Sequence, residues 1–162
     1  MALIIQKAGP QDMDAIAMLY AEVCTYLADK PFNPGWRRDI FPAREDAEQY
    51  LAADGLYIAR DGEEVVGTFA LMPETGGALC IHEAAVHPVH QRQGISTALL
   101  DFAAEEAERR GAKTLRLYVW EGNAPAIRAY EKNGFARRGR GDVGLGECGL
   151  DWFYWYEKQL DG

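Results

Sequence analysis

The sequence predicts a mixed α/β domain, with a sheet that is part hairpin and part parallel and about four helices packed on it. Three features point there. Two apolar runs flank Asp61-Gly62, a strong hairpin turn pair. Residues 79–120 read strand, loop, helix, strand, the unit that joins parallel strands by a right-handed crossover. Three further stretches read as helices from apolar spacing or from their start and stop signals. With 162 residues the chain fits one domain, residues 1–162, and can bury a real core without staples.

The elements follow in order. Leu3 to Lys7 makes a short strand closed by Gly9-Pro10. From Gln11 the apolar positions Met13, Ile16, Tyr20, Val23 and Leu27 recur at helical spacing, with Asp12 and Asp14 in the first turn, where acids suit the dipole. Residues 30–42 hold Pro31, Pro34, Gly35 and Pro42 and cannot be one regular helix. A second helix runs from about Ala43 to Ala53. Strands at Leu56–Ala59 and Val65–Met72 form the hairpin, and a fourth strand begins at Leu79. The third helix turns Ile95, Leu99, Phe102, Ala103 and Ala107 inward and stops at Gly111. Lys113 to Trp120 alternates Leu115, Leu117 and Val119 against Arg116, Tyr118 and Trp120, which is strand periodicity. In the fourth helix Asn123 caps the start, Pro125 fits the first turn and Asn133-Gly134 ends it. Phe135 starts another strand, a flexible glycine-rich loop is expected over Gly139–Gly149, and Asp151–Gln159 closes the chain as an aromatic strand.

The stretch from Leu79 to Thr97 carries the chemistry. Pro88 cannot donate to a sheet ladder and ends the strand. Beyond it, the N–H groups from Gln91 to Thr97 face a helix start, where the first amides lack internal partners and the dipole favours anions. Arg92 adds a cation. A phosphate-bearing ligand is the guest such a stretch suits.

Composition narrows the partners. A net charge of −8 argues against nucleic acid, whose binding rests on clustered Lys and Arg, and suits a cationic substrate such as an amine as well as it suits solubility. No apolar run approaches the ~18 residues that cross a bilayer. Leu3-Ile4-Ile5 is too short for a signal-peptide core, so a cytoplasmic protein with no membrane partner is expected. Cys24, Cys80 and Cys148 are odd in number and far apart, so buried or idle thiols are expected in place of disulfides or a zinc site.

Two motifs together resemble the GNAT superfamily of acyl-CoA-dependent N-acyltransferases. The first is Val86-His87-Pro88 followed by Gln91-Arg92-Gln93-Gly94-Ile95-Ser96; the second runs from Asn123 to Tyr130-Glu131-Lys132-Asn133-Gly134-Phe135. The order of elements agrees from Leu3 to Leu160. Ser96 departs from the pattern, standing where the family usually has Gly or Ala; its small hydroxyl side chain can donate to phosphate.

The resemblance implies a mostly antiparallel sheet whose parallel fourth and fifth strands splay apart, with the pantetheine arm of acetyl-CoA between them. It implies that the arm pairs with backbone near Ala84, Ala85 and Val86. The pyrophosphate would then rest on Gln91, Arg92, Gln93, Gly94, Ile95 and Ser96, next to Thr97. Asn123 would touch the arm or orient Tyr130, and capping its helix is an equally ready role. Tyr130 would be the general acid for the departing thiolate, a phenol near pKa ~10 against ~8.5 for a thiol; packing beside Ile127 is its plain alternative. Glu83 would be the base that takes the amine proton, directly or through water, since a carboxylate within an apolar strand is costly unless solvated or used. Facing solvent at an edge or holding an arginine are its other roles, and His82 on the opposite face competes as base. A strand N–H near Ala85 would polarise the thioester carbonyl. The implied reaction moves the acetyl group of acetyl-CoA to a primary amine, on a small molecule or a protein, by direct attack in a ternary complex without metal. A non-catalytic acyl-CoA sensor on the same fold is the alternative, and a homodimer is left open.

Other signals are set aside. Two overlapping GxGxxG matches, Gly139–Gly144 and Gly144–Gly149, precede a strand where a dinucleotide fingerprint needs a helix. Gly94-Ile95-Ser96-Thr97-Ala98 approximates a nucleophile elbow, but all three histidines precede the serine. His82 and His87 lie on opposite faces of a strand and off one face of a helix, so a metal is not expected. Trp36, Tyr57, Trp152 and Trp155 either line an acceptor pocket or fill the core.

Overall fold

The computed structural model describes residues 2–146 and 149–161. A seven-stranded sheet runs in the order β1-β2-β3-β4-β5-β7-β6. Its strands are β1 (Leu3–Lys7), β2 (Leu56–Asp61), β3 (Glu64–Pro73), β4 (Ala78–Val86), β5 (Thr114–Trp120), β6 (Ala136–Leu145) and β7 (Leu150–Gln159). Every neighbouring pair is antiparallel except β4 and β5. The α-helices among the described residues are α1 (Met13–Leu27), α2 (Arg44–Ala52), α3 (Ile95–Arg109) and α4 (Ala124–Lys132).

Strand alternation distributes the helices. Leu56, Ile58 and Ala70 face Met13, Ile16 and Tyr20 of α1 and Ala47 of α2. On the other face Phe69, Leu71, Leu79, Ile81, Leu115 and Leu117 pack with Ile95, Leu99 and Ala103 of α3, and Tyr130 of α4 joins them partly buried. The period-two pattern that marks each strand thus also decides which helix pair it meets. Residues 28–43 hold no α-helix, and Arg37 and Phe41 form an isolated bridge there. The Asp46 carboxylate accepts from the Ala43 N–H at 2.7 Å, which starts α2.

Two departures from the sequence reading matter. The residues expected to form a flexible loop from Gly139 are strand as far as Leu145, with Gly139 in register with Trp155. A Cβ on Gly139 would stand 2.0 Å from the Trp155 ring, so the glycine serves to let an indole lie across the neighbouring strand. Within the expected loop, residues 147–148, including Cys148, lie outside the described residues, and Gly149 N–H donates to the Gly146 carbonyl at 2.9 Å. Cys24 and Cys80 are buried free thiols, as expected.

The second departure shapes the middle of the sheet. β4 ends at Val86, and Pro88–His90 forms a 3-10 turn before the loop. Opposite Phe69 of β3 stand two residues of β4, Glu83 and Ala84, since Ala70 pairs with His82 and Thr68 with Ala85. Glu83 takes φ +40 at this bulge, a conformation that costs an L-residue about 1–3 kcal/mol.

Candidate active site

β4 and β5 pair through Ala78–Thr114, Leu79–Leu115 and Cys80–Arg116 and then part, although β4 continues to Val86 and β5 to Trp120. Each keeps its outer neighbour throughout: β4 stays with β3 to Val86, and β5 with β7 to Trp120. The result is a fork whose inner edges have unpaired backbone donors and acceptors. An extended chain bearing amides can pair there as an added strand.

The open end of the fork runs into the anion-binding loop. Gly94 adopts φ +79 as the N-cap of α3, and Arg92 adopts φ +65. The first helical bond runs from Ala98 N–H to the Gly94 carbonyl. The N–H groups of residues 92–97 have no hydrogen-bond acceptor among the described residues. Gln91 N–H, the first of the expected set, reaches the Pro88 carbonyl at 3.4 Å. Ile95 is buried, so only its backbone faces the loop, whereas Ser96 and Thr97 are exposed. His90, which sequence reasoning missed, lies 3.2 Å from Gln93 Oε1 through Nδ1 and 3.2 Å from Glu64 Oε1 through Nε2, tying the loop to β3. Asn123 accepts from Ala126 N–H at 3.4 Å, so its oxygen caps α4 and its amide nitrogen remains for any other contact.

Tyr130 comes from α4, on the α3 side of the fork. Burial, then the nearby Cys80 sulfur, pushes its phenol up to about 12. Its ring packs against Phe135, and its hydroxyl has no hydrogen-bond partner among the described residues. A phenol of this acidity does not ionise at neutral pH, and giving its proton outright to a thiolate of pKa ~8.5 is uphill.

Glu83 lies on the other side. Plain alternation would send it to the α3 face with Ile81; the bulge turns it toward α1 and α2 instead. Its charge reaches Tyr20 of α1 and Tyr50 of α2, whose phenols are both raised, by burial first and Glu83 next. The Tyr50 hydroxyl approaches the Glu83 carboxylate, yet Oε2 is buried without a hydrogen-bond partner. Burial, the leading cause, holds the Glu83 carboxyl above its ordinary range, Tyr50 pulls it down and Asp46 pushes it up. His82 was expected on the opposite face, but its ring also meets Tyr50, at 5.8 Å between centroids. The bulge therefore brings both candidate bases to one side, a feature with no linear signal.

The four aromatic candidates separate. Tyr57 is core, its hydroxyl donating to buried Glu106 at 2.7 Å. Trp155 covers Gly139, and Trp152 lies under the Arg140 guanidinium at 4.1 Å. Trp36 packs with Leu19 and Val23 of α1 next to Ala85 of β4, beside the fork. A hollow of about 430 Å³ between α1 and residues 33–40 includes Trp36, Arg37 and Ile40 but none of the fork residues.

Residues 19–135 match the model of the acetyltransferase (GNAT) family. The chain is 35% identical over 100 residues to the ribosomal protein bS18 alanine N-acetyltransferase of Escherichia coli K12, covering 62% of this chain and 64% of that protein. It is 30% identical over 105 residues to the mycothiol acetyltransferase of Corynebacterium glutamicum, covering 65% of this chain and 36% of that protein. The chain thus spans less than two thirds of either relative. The crystal structure of the E. coli S18-alanine enzyme superposes with a TM-score of 0.78 at 20% identity, over 99% of this chain and 96% of that one. That of yncA from Salmonella typhimurium, solved with acetyl-CoA, gives 0.76 at 22% identity, over 99% and 95%. At these identities the superpositions speak for the fold, and the family match speaks for descent: the chain belongs to the GNAT acetyltransferase family.

Proposed function

We propose that the protein transfers the acetyl group of acetyl-CoA to a primary amine by direct attack within a ternary complex. The fork carries this reading: it is open on its inner edges, ends on a run of bare amides and has a phenol on one face and a carboxylate on the other. The ligand and the groups fit. The pyrophosphate suits the amides of residues 92–97, and the pantetheine arm suits the free edge of β4 near Ala85 and Val86. A neighbour of the same fold was solved with acetyl-CoA, which supports the choice of donor.

In this reading Glu83 takes the proton of the incoming ammonium, and a β4 N–H near Ala85 polarises the thioester carbonyl. As the carbon–sulfur bond breaks, Tyr130 directs its proton to sulfur and recovers one from the former amine nitrogen. Cys80 is no covalent relay, because burial holds its thiol well above the ordinary range and it stays protonated. The acceptor reaches the fork from the α1–α2 side, past Tyr50, Asp46 and Glu83, whose charge and ring faces suit a cationic amine. The relatives named above are a mycothiol acetyltransferase and a ribosomal protein bS18 alanine N-acetyltransferase, so an amine on a small molecule or on a protein is within the proposal.

Calorimetric titration with acetyl-CoA followed by a thiol-release assay over small amines and peptide amino termini tests it. Binding with release for one class of amine is the expected result. Binding with no release for any acceptor would identify a non-catalytic acyl-CoA sensor.

A further inference from the structure

A second cluster stands at the closed end of the fork, on the face opposite α3. We propose that Glu74, Cys80 and His82 form a binding site for a divalent metal ion, best suited to Zn²⁺. One ligand atom from each lies within 4.8 Å of the other two. Two ligands of a tetrahedral zinc stand roughly 3.6 Å apart, from Zn–S of ~2.3 Å and Zn–N of ~2.0–2.1 Å. Rotation about the side-chain bonds of the three residues would have to supply the difference.

The backbone brings these residues together. Cys80 and His82 are two apart on β4 and share a face. Glu74 follows β3 and is folded over them by its N–H bond to the Ala78 carbonyl at 2.9 Å. The linear sequence pairs His82 with His87 and treats Cys80 as idle; only the hairpin between β3 and β4 assembles the three.

Each group is prepared for coordination. Oε1 of Glu74 accepts from Arg116 at 3.1 Å and from the Tyr118 hydroxyl at 2.9 Å, and neither bond uses Oε2. Arg116 and Tyr118 thus orient the carboxylate as outer partners orient a metal ligand. Arg116 also pairs with Glu157 at 2.8 Å, which offsets its charge near an incoming cation. The His82 ring lies against the Tyr50 ring, with centroids 5.8 Å apart, on the same side as Glu74 and Cys80. The Cys80 thiol makes a weak contact to the Ile81 carbonyl at 3.6 Å and also interacts with the Glu74 carboxylate. Without an ion its thiol keeps the proton; an ion reverses that preference by supplying the charge the thiolate lacks. Binding forms one metal–sulfur bond, breaks one S–H bond and releases one proton to solvent. A sulfur, nitrogen and oxygen set suits zinc over magnesium or calcium, and three protein ligands leave a fourth position open.

Zinc alone, titrated into chelator-stripped protein against a chromophoric competitor, tests binding without reference to acetyl transfer. Expected are one equivalent bound and an affinity that rises about tenfold per pH unit near neutrality, from the one proton released. Cobalt in its place gives a sulfur-to-metal charge-transfer band in the near ultraviolet. Cys80→Ser removes that band and weakens zinc binding about 100-fold or more, and His82→Asn, which leaves the buried thiol untouched, weakens it as well. Absence of stoichiometric binding, or equal binding by wild type and both variants, overturns the site.

Discussion

Two side chains on opposite faces of the fork make separable predictions. Tyr130→Phe removes the proton shared toward sulfur and leaves the ring packed on Phe135, so steady-state kinetics should show kcat down by ~10²-fold or more with little change in acetyl-CoA affinity. Unchanged turnover would remove Tyr130 from the reaction. With its phenol at about 12, Tyr130 also adds no falling limb to the rate profile below pH 10. Under the proposed reaction Glu83 governs the acid side: as base it would work only as carboxylate, so the rate should fall as pH drops through a pKa held above the ordinary ~4.3 of a glutamate. The same elevation destabilises the fold once the group ionises: the native state holds the proton more tightly than the unfolded chain, so stability from this group is present at low pH and lost as pH rises. Glu83→Gln should therefore raise the melting temperature at pH 7 and leave it nearly unchanged at pH 4, and it should lower kcat strongly at pH 7 and little at pH 4, where the wild-type carboxyl is itself largely protonated. A melting temperature that drops at pH 7 would mean that Glu83 is a structural partner. Tyr130 was legible from its motif and Glu83 from its cost in an apolar strand. Tyr50 was not, because its contact with Glu83 depends on a bulge that reverses strand alternation.

At the level of elements, the loop from Pro88 to Thr97 was legible because proline, glycine and a helix start each have local physical meanings. Strand β6 was not. Its glycines read as flexibility, whereas Gly139 is required by the Trp155 ring on the adjoining strand, a cross-strand contact that no window of sequence contains. The loop itself yields a paired test. A Cβ at Gly94 meets nothing within 4 Å, so space is not the constraint; its φ of +79 is, at about 1–2 kcal/mol for an L-residue. Gly94→Ala should raise the dissociation constant of coenzyme A modestly, by the strain alone. Gly94→Glu adds a negative charge beside the bare amides and should leave no binding detectable by calorimetry. Equal effects of the two would place the pyrophosphate elsewhere.

For the whole molecule, the fork is the feature that the proposed ligand would close. The halves β1-β2-β3-β4 and β5-β7-β6 meet along three residue pairs and through the cores under α3 and α4, so the sheet is least self-supporting where the pantetheine arm is proposed to lie. That a crossover would make β4 and β5 parallel was legible in the sequence; that they part after Cys80 came only with the family resemblance, since register loss leaves no compositional trace. A ligand that binds only the folded state at about 100 times its dissociation constant contributes about 2.7 kcal/mol. For a chain of this size that corresponds to a rise in melting temperature of roughly 5–10 °C. Coenzyme A should produce that rise in the wild type and in Tyr130→Phe, where the cleft is intact, and none in Gly94→Glu. Adenosine 3′,5′-bisphosphate, which lacks the arm, gives the same rise at the same multiple of its own dissociation constant, so amide hydrogen exchange separates the two ligands. The added protection from coenzyme A should fall on β4 beyond Cys80 and on β5 beyond Arg116, and protection confined to residues 88–97 would show that the fork does not hold the arm.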